Sequence, residues 1–171
     1  MSADRGSDRL SVLFVCTGNT CRSPLAEALA RRRHGEGGPA FASAGLGAVD
    51  GQPASTGSLL VAQERGLDLG GHRSRRVSER VLEGIDWVIC MTRSHVAAFR
   101  QQFPGFEGRV GMLSAPGADL AADPGAAGAD VEDPFGGGAE DYRRMAGQIA
   151  SLLEAWDDVL GGARDEREET T

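Results

Sequence analysis

Leu10-Ser11-Val12-Leu13-Phe14-Val15 runs directly into Cys16-Thr17-Gly18-Asn19-Thr20-Cys21-Arg22-Ser23-Pro24, and the reading of this junction decides the fold. The first six residues are apolar and β-branched and stop at a Gly-containing loop, the pattern of a short buried strand. Pro24 stands where a first helical turn tolerates proline, and Leu25, Ala28 and Leu29 follow at helical spacing. The junction is therefore strand, loop, helix.

The same alternation continues outward. Ala40–Ala44, closed by Gly45, is expected as a second strand, and a helix is predicted over Ser55–Arg65 with Gly66 as its stop. Trp87–Met91 reads as a third buried strand. Thr92 then caps a helix carrying Val96 and Phe99 that ends before Pro104-Gly105, and Arg109–Leu113 reads as a fourth strand. Tyr142, Met145, Ile149, Leu152, Leu153, Trp156 and Leu160 place one apolar stripe on a single last helix. Strands alternating with helices imply a three-layer α/β fold: a small doubly wound, four-stranded parallel sheet with helices on both faces. Its ligand site is expected at the carboxyl ends of the strands, where Cys16 lies.

The chain has 171 residues, 40% of them apolar and 25% charged, which fits one soluble globular domain, expected over 10–160. Residues 1–9 are expected to be a disordered N-terminal segment and 161–171 a charged disordered tail. Ala115–Ala129, rich in Ala, Gly, Pro and Asp, reads as a mobile loop. A net charge of -7 argues against a general nucleic-acid binder. With neither a signal-peptide core nor a long apolar run, a cytoplasmic protein without membrane contact is expected. Three cysteines make no disulfide framework, and Cys16 and Cys21 lack the spacing of a zinc pair, so no metal or cofactor is expected.

The loop residues suit phosphoryl transfer. A thiol attacks as thiolate, and a ring of backbone N–H groups before a helix N-terminus stabilises both that thiolate on Cys16 and a bound phosphate. Gly18 is expected to supply the backbone freedom that turns those groups inward. Arg22 adds a planar, always-charged fork for two phosphate oxygens. Ser23 can donate to the sulfur and Asn19 can brace the loop. A bare Cys-x5-Arg pair would be weak evidence, whereas the whole run between a strand and a helix is specific.

This run resembles the signature C-x-G-N-x-C-R-S-P of the low-molecular-weight phosphatase family, and the resemblance extends from about Leu10 to Leu160. It implies a cysteinyl-phosphate intermediate, phosphorylated proteins as partners, phosphate as product and no metal. It also implies that Asp133, in Val131-Glu132-Asp133-Pro134-Phe135-Gly136, is the general acid, in preference to Asp119, Asp123 or Asp130. Catalytic roles thus fall to Cys16, Arg22 and Asp133, and substrate binding to Thr17, Gly18, Asn19, Thr20, Cys21, Arg22, Ser23 and Phe135.

Thr20 stands where tyrosine-directed members carry a bulky aliphatic residue, and Asp133-Pro134 is followed by one ring, Phe135, and then by glycines. A planar, cationic guanidinium suits a hydroxyl, a carboxylate and one ring face better than a phenyl ring does. These features are closest to the protein-arginine phosphatase branch, with a tyrosine phosphatase as the alternative. An arsenate reductase is disfavoured because Cys90, inside an apolar run, is badly placed for a thiol relay. A catalytically silent phosphate-binding module is disfavoured because Cys16, Arg22 and Asp133 are all present.

Of the remaining residues, Cys21 is either a reversible disulfide partner for Cys16 or small packing behind the loop. Cys90 is expected to be an inert core thiol. The resemblance makes Ser43 a brace of the loop. His72-Arg73-Ser74-Arg75-Arg76 is either a support for the loop or a solvated charge run. His34 and His95 read as surface helix residues.

Overall fold

The computed structural model describes residues 9–162. The strands are β1 (Ser11–Cys16), β2 (Ala40–Gly45), β3 (Trp87–Cys90) and β4 (Arg109–Met112). The helices are α1 (Arg22–His34), α2 (Thr56–Glu64), α3 (Glu79–Leu82), α4 (Arg93–Gln102), α5 (Ala139–Glu154) and α6 (Asp157–Gly162). All strand pairs are parallel, in the order β2-β1-β3-β4. This is the expected three-layer, doubly wound sheet.

Side-chain alternation along β1 divides the core in two. Val12 and Phe14 pack with Leu25 and Leu29 of α1, Val61 of α2, and Met145 and Ile149 of α5. Leu13 and Val15 face the other way, with Leu82 of α3 and with Val96 and Phe99 of α4. A strand buried on both faces needs a continuous apolar run, as this one has. From β1 the chain crosses to β2 on one side and later to β3 on the other, so the strand order reverses at the end of β1. Cys16 sits at that switch point, where open α/β sheets bind ligands.

The single last helix is corrected to two. Ala155 and Trp156 close onto Leu152 and Leu153 with three-residue hydrogen bonds that tighten the final turn of α5. The break aims Trp156 inward, where its indole N–H donates to the Leu113 carbonyl at 2.8 Å and its ring meets Trp87 edge-on. The apolar stripe continues across the break through Leu160, which is buried.

The 115–129 stretch is anchored more firmly than its composition suggests. Leu120 is buried and donates its N–H to Val110, and the Asp119 carboxylate accepts from the Val110 N–H. The N-terminal segment before Arg9 and the tail after Gly162 fall outside the described residues. Arg9 is tied to the Gly38 carbonyl, and Gly161 and Gly162 end α6. Among the described residues no helix is long and apolar enough to cross a membrane.

Candidate active site

The loop between β1 and α1 is turned inside out by its surroundings. Its carbonyls are taken up from outside: Cys16 by the Leu46 N–H and Thr17 by the Gly47 N–H, both at 2.9 Å. His72 Nε2 donates to the Asn19 carbonyl at 2.7 Å, the Ser55 N–H to Thr20 at 2.9 Å, and the Ser58 hydroxyl to Cys21 at 3.2 Å. In a trans peptide the N–H points opposite to the C=O. The N–H groups of Thr17, Gly18, Thr20, Cys21 and Arg22 therefore point to the loop's interior, at the N-terminus of α1. Such a cup binds anions.

One glycine reading changes. Gly18 does not take a left-handed conformation; the left-handed residue is Asn19, at φ 56°. Asparagine tolerates this region better than most side chains. The tight glycine is instead Gly45, at the end of β2. A Cβ there would lie 2.5 Å from the Thr17 carbonyl oxygen and 2.9 Å from the Asn19 nitrogen.

Asn19 is fully buried and is the loop's main brace. Its Nδ2 donates to Ser23 Oγ at 2.9 Å and to Ser43 Oγ at 3.0 Å, and its Oδ1 accepts from the Arg75 N–H at 3.0 Å. Ser43 is thus the expected brace. The basic cluster supports the loop: besides His72, Arg75 Nε donates to the Ser43 carbonyl and Ser74 is buried.

Cys16 Sγ lies on the floor of the cup. It accepts from the Asn19 N–H at 3.2 Å and lies 2.9 Å from Ser23 Oγ. Ser23 Oγ accepts from Asn19, and its one hydrogen has two acceptors in reach, the sulfur and the Ala44 carbonyl at 3.5 Å.

Arg22 is buried, donates through one terminal nitrogen to the Val131 carbonyl at 3.3 Å, and lies 3.5 Å from Asp133. Its Nε is buried without a hydrogen-bond partner among the described residues. A bound anion would meet that unmatched donor.

Asp133 is brought to the cup but remains 56% exposed, and its second oxygen accepts from the Phe135 N–H at 3.0 Å. The Gly137 N–H closes a turn onto the Pro134 carbonyl, with Gly136 left-handed at φ 78°. That turn puts Phe135 at its corner, 83% exposed, so the ring stands on the rim and not as a packed wall.

Thr17 is exposed and Thr20 half-buried in the loop. Cys21 packs behind the loop, its thiol 3.2 Å from Ser55 Oγ and 3.7 Å from the Tyr142 hydroxyl. Cys16, Cys21 and Cys90 are all buried and free of disulfide bonds. Cys90 is fully buried, and desolvation first, then the charge on Cys16, pushes its thiol far above the usual range. It is the inert core thiol expected.

Both histidines read as surface residues are corrected. His34 is half-buried, against Phe41 and 3.6 Å from Asp157. His95 is buried, and its Nε2 lies 2.9 Å from Thr17 Oγ1. Burial first, then the Arg22 charge, pulls its pKa down to about 4, against the opposing pull of Asp130 and Asp133.

A parallel α/β sheet carrying a thiol on the floor of an anion cup, beside a buried guanidinium, has the architecture of a cysteine-based phosphatase. The model of the family described as low molecular weight phosphotyrosine protein phosphatase matches residues 11–165, and the chain belongs to that family. A protein-arginine-phosphatase of Geobacillus stearothermophilus is 35% identical over 148 residues, covering 84% of this chain and 90% of the relative. The low molecular weight protein-tyrosine-phosphatase Wzb of Escherichia coli K12 is 39% identical over 100 residues, covering 58% of this chain and 67% of the relative. The solved YwlE arginine phosphatase from Geobacillus stearothermophilus superposes with a TM-score of 0.77 at 30% identity, covering 95% of this chain and 97% of that one.

Proposed function

We propose that this protein hydrolyses phosphoarginine in proteins through a cysteinyl-phosphate intermediate. The carrying observation is the inward-facing N–H cup with Cys16 Sγ on its floor and the unmatched Nε of Arg22 at its side. A phosphoryl group seated there presents phosphorus to the sulfur and its oxygens to the N–H groups and the guanidinium.

In the first step Cys16 Sγ forms a bond to phosphorus as the P–N bond breaks. Asp133 gives its proton to the leaving guanidino nitrogen. Arg22 and the cup hold the equatorial oxygens throughout. In the second step Asp133, now a carboxylate, takes a proton from water. The water oxygen attacks phosphorus, the S–P bond breaks, and the Ser23 hydroxyl donates to the departing thiolate. Inorganic phosphate leaves.

Thr20 supports the guanidinium substrate, since a half-buried hydroxyl in the loop suits a hydrogen-bonding cation better than a phenyl ring. The match over most of the chain to an arginine phosphatase supports it too. The second reading, a phosphotyrosine substrate, is supported by the matched family's description and by relatives such as Wzb. An odd number of cysteines, with no disulfide framework in the sequence, suits a cytoplasmic setting. There Cys21 is also proposed to shield Cys16 as a reversible disulfide. A Cys21→Ser variant that recovers as fully as wild type after peroxide and then thiol would remove that role.

The substrate is tested by kcat/KM on matched phosphoarginine and phosphotyrosine peptides. The expected ratio favours phosphoarginine by about tenfold or more. A preference for phosphotyrosine would overturn the choice.

A further inference from the structure

His95 takes part in no step described above, yet it is the buried polar side chain joined to the outer edge of the loop. It lies in the first turn of α4, where the Thr92 hydroxyl caps its backbone N–H at 3.1 Å. Its side chain plays no part in that cap. Nε2 meets Thr17 Oγ1 at 2.9 Å, and Nδ1 is buried with no hydrogen-bond partner among the described residues. An orphaned buried N–H is less tolerable than a bare ring nitrogen, so the ring proton is assigned to Nε2, which donates to Thr17. With its pKa drawn down to about 4, the ring is neutral at physiological pH.

The tautomer fixes what Thr17 can offer. Its carbonyl is held by the Gly47 N–H and its hydroxyl by His95, so the exposed residue next to the nucleophile is pinned at both ends. A hydroxyl that accepts from His95 retains one lone pair and its own hydrogen. A guanidinium supplies N–H donors for that lone pair. A phenyl ring supplies none and would strip water from the hydroxyl without replacing it. A neutral ring also avoids setting a second cation beside a cationic substrate and Arg22.

We propose that His95 is a positioning residue that acts through Thr17, pinning its hydroxyl on the rim of the phosphate loop so that the site favours a guanidinium leaving group over a phenol. The proposal rests on the phosphoarginine reading and deepens it.

Four proteins test it: His95→Ala, His95→Gln, Thr17→Val and the His95→Ala/Thr17→Val double variant, each checked by thermal melting. His95→Ala is expected to lower kcat/KM on the phosphoarginine peptide by about tenfold, and on the phosphotyrosine peptide by less than about threefold. His95→Gln, whose amide reaches the place of Nε2, is expected to restore the ratio. Thr17→Val should match His95→Ala, and the double variant should be no worse than either single one. Equal losses on both substrates, or additive losses in the double variant, would overturn the proposal. Should His95→Ala fail to fold, His95→Asn takes its place, because its shorter amide cannot reach Thr17; the same selective loss supports the proposal and a wild-type ratio overturns it. A wild-type enzyme that prefers phosphotyrosine defeats the substrate reading separately. The cycle run on the phosphotyrosine peptide then decides the positioning alone: non-additivity supports it and additivity overturns it.

Discussion

From Cys16 to Cys21 the backbone is held from outside by Leu46, Gly47, Ser55, Ser58 and His72, and Asn19 is sealed inside. From Glu132 to Gly138 the ties are mostly local. Phe135 binds Asp133, Gly137 binds Pro134, Gly138 binds Asp141, and only Pro134 is buried. Floor and rim therefore differ in how much of their geometry is fixed before a substrate arrives. A preorganised floor suits charge stabilisation, which gains most from dipoles that need not reorient. An exposed rim suits a carboxylate that must reach a leaving group of variable shape and exchange protons with water. The difference teaches that charge stabilisation and proton transfer fall to separate parts of the site, which substitutions can separate.

The largest break is expected at the floor. Cys16→Ser and Arg22→Ala should each lower turnover of a generic aryl phosphate by at least about 10⁴-fold, since each removes a group on which the whole reaction depends. Steady-state assays of the purified variants check this, and near-normal activity in either would undo the assignment. On the rim, Asp133→Ala should lower kcat by about 10²- to 10³-fold on a phosphoarginine peptide. The loss should be smaller on an aryl phosphate whose leaving group needs no proton, and an equal loss on both would argue against an acid.

His95 joins floor and rim, and its titration sharpens the comparison. Its pKa is about 4 when folded and about 6.5 when unfolded, so between these values the unfolded chain binds more protons. Stability should therefore fall as the pH drops from about 6.5 to about 4. His95 contributes a loss on the order of 3 kcal/mol, with no further share below. Denaturant titrations of wild type and His95→Gln across this range should diverge on the acid side, with wild type losing more. Parallel curves would mean that burial and the Arg22 charge do not keep the ring neutral.

At the mouth, Thr20→Ile should move the kcat/KM ratio toward phosphotyrosine by about tenfold. An unchanged ratio would remove Thr20 from substrate choice. The smallest effect belongs to Phe135. With the ring 83% exposed, Phe135→Ala should change stability by less than about 0.5 kcal/mol and act through KM alone.

The floor was legible in the sequence because its chemistry is contiguous: nucleophile, brace, guanidinium and helix start fall within nine residues, directly after an apolar strand. The strands were legible for a similar reason, since burial on both faces leaves continuous apolar runs. What escaped depends on chain segments meeting across the fold. His95 reaches the loop from 78 positions away and has no local pattern that sets it apart from a surface histidine, while His72, 53 positions away, could be read only as either a support or a solvated charge. Gly45 matters through a backbone approach that only the packed sheet creates. Gly18 was expected by its residue type to supply the loop's backbone freedom, but the left-handed residue is Asn19. Unbroken periodicity hid the break between α5 and α6, because the apolar stripe survives it. In the 115–129 stretch, small residues masked the one large side chain, Leu120, that anchors it.

The most direct test of the division between floor and rim is a rapid-quench reaction of the Asp133→Ala variant with an aryl phosphate whose leaving group needs no proton, followed by mass spectrometry of the fragment that contains Cys16. Transfer to an intact floor with a disabled rim predicts a phosphoryl group accumulating on Cys16. Release of inorganic phosphate with no label on Cys16 at any time point would contradict the account.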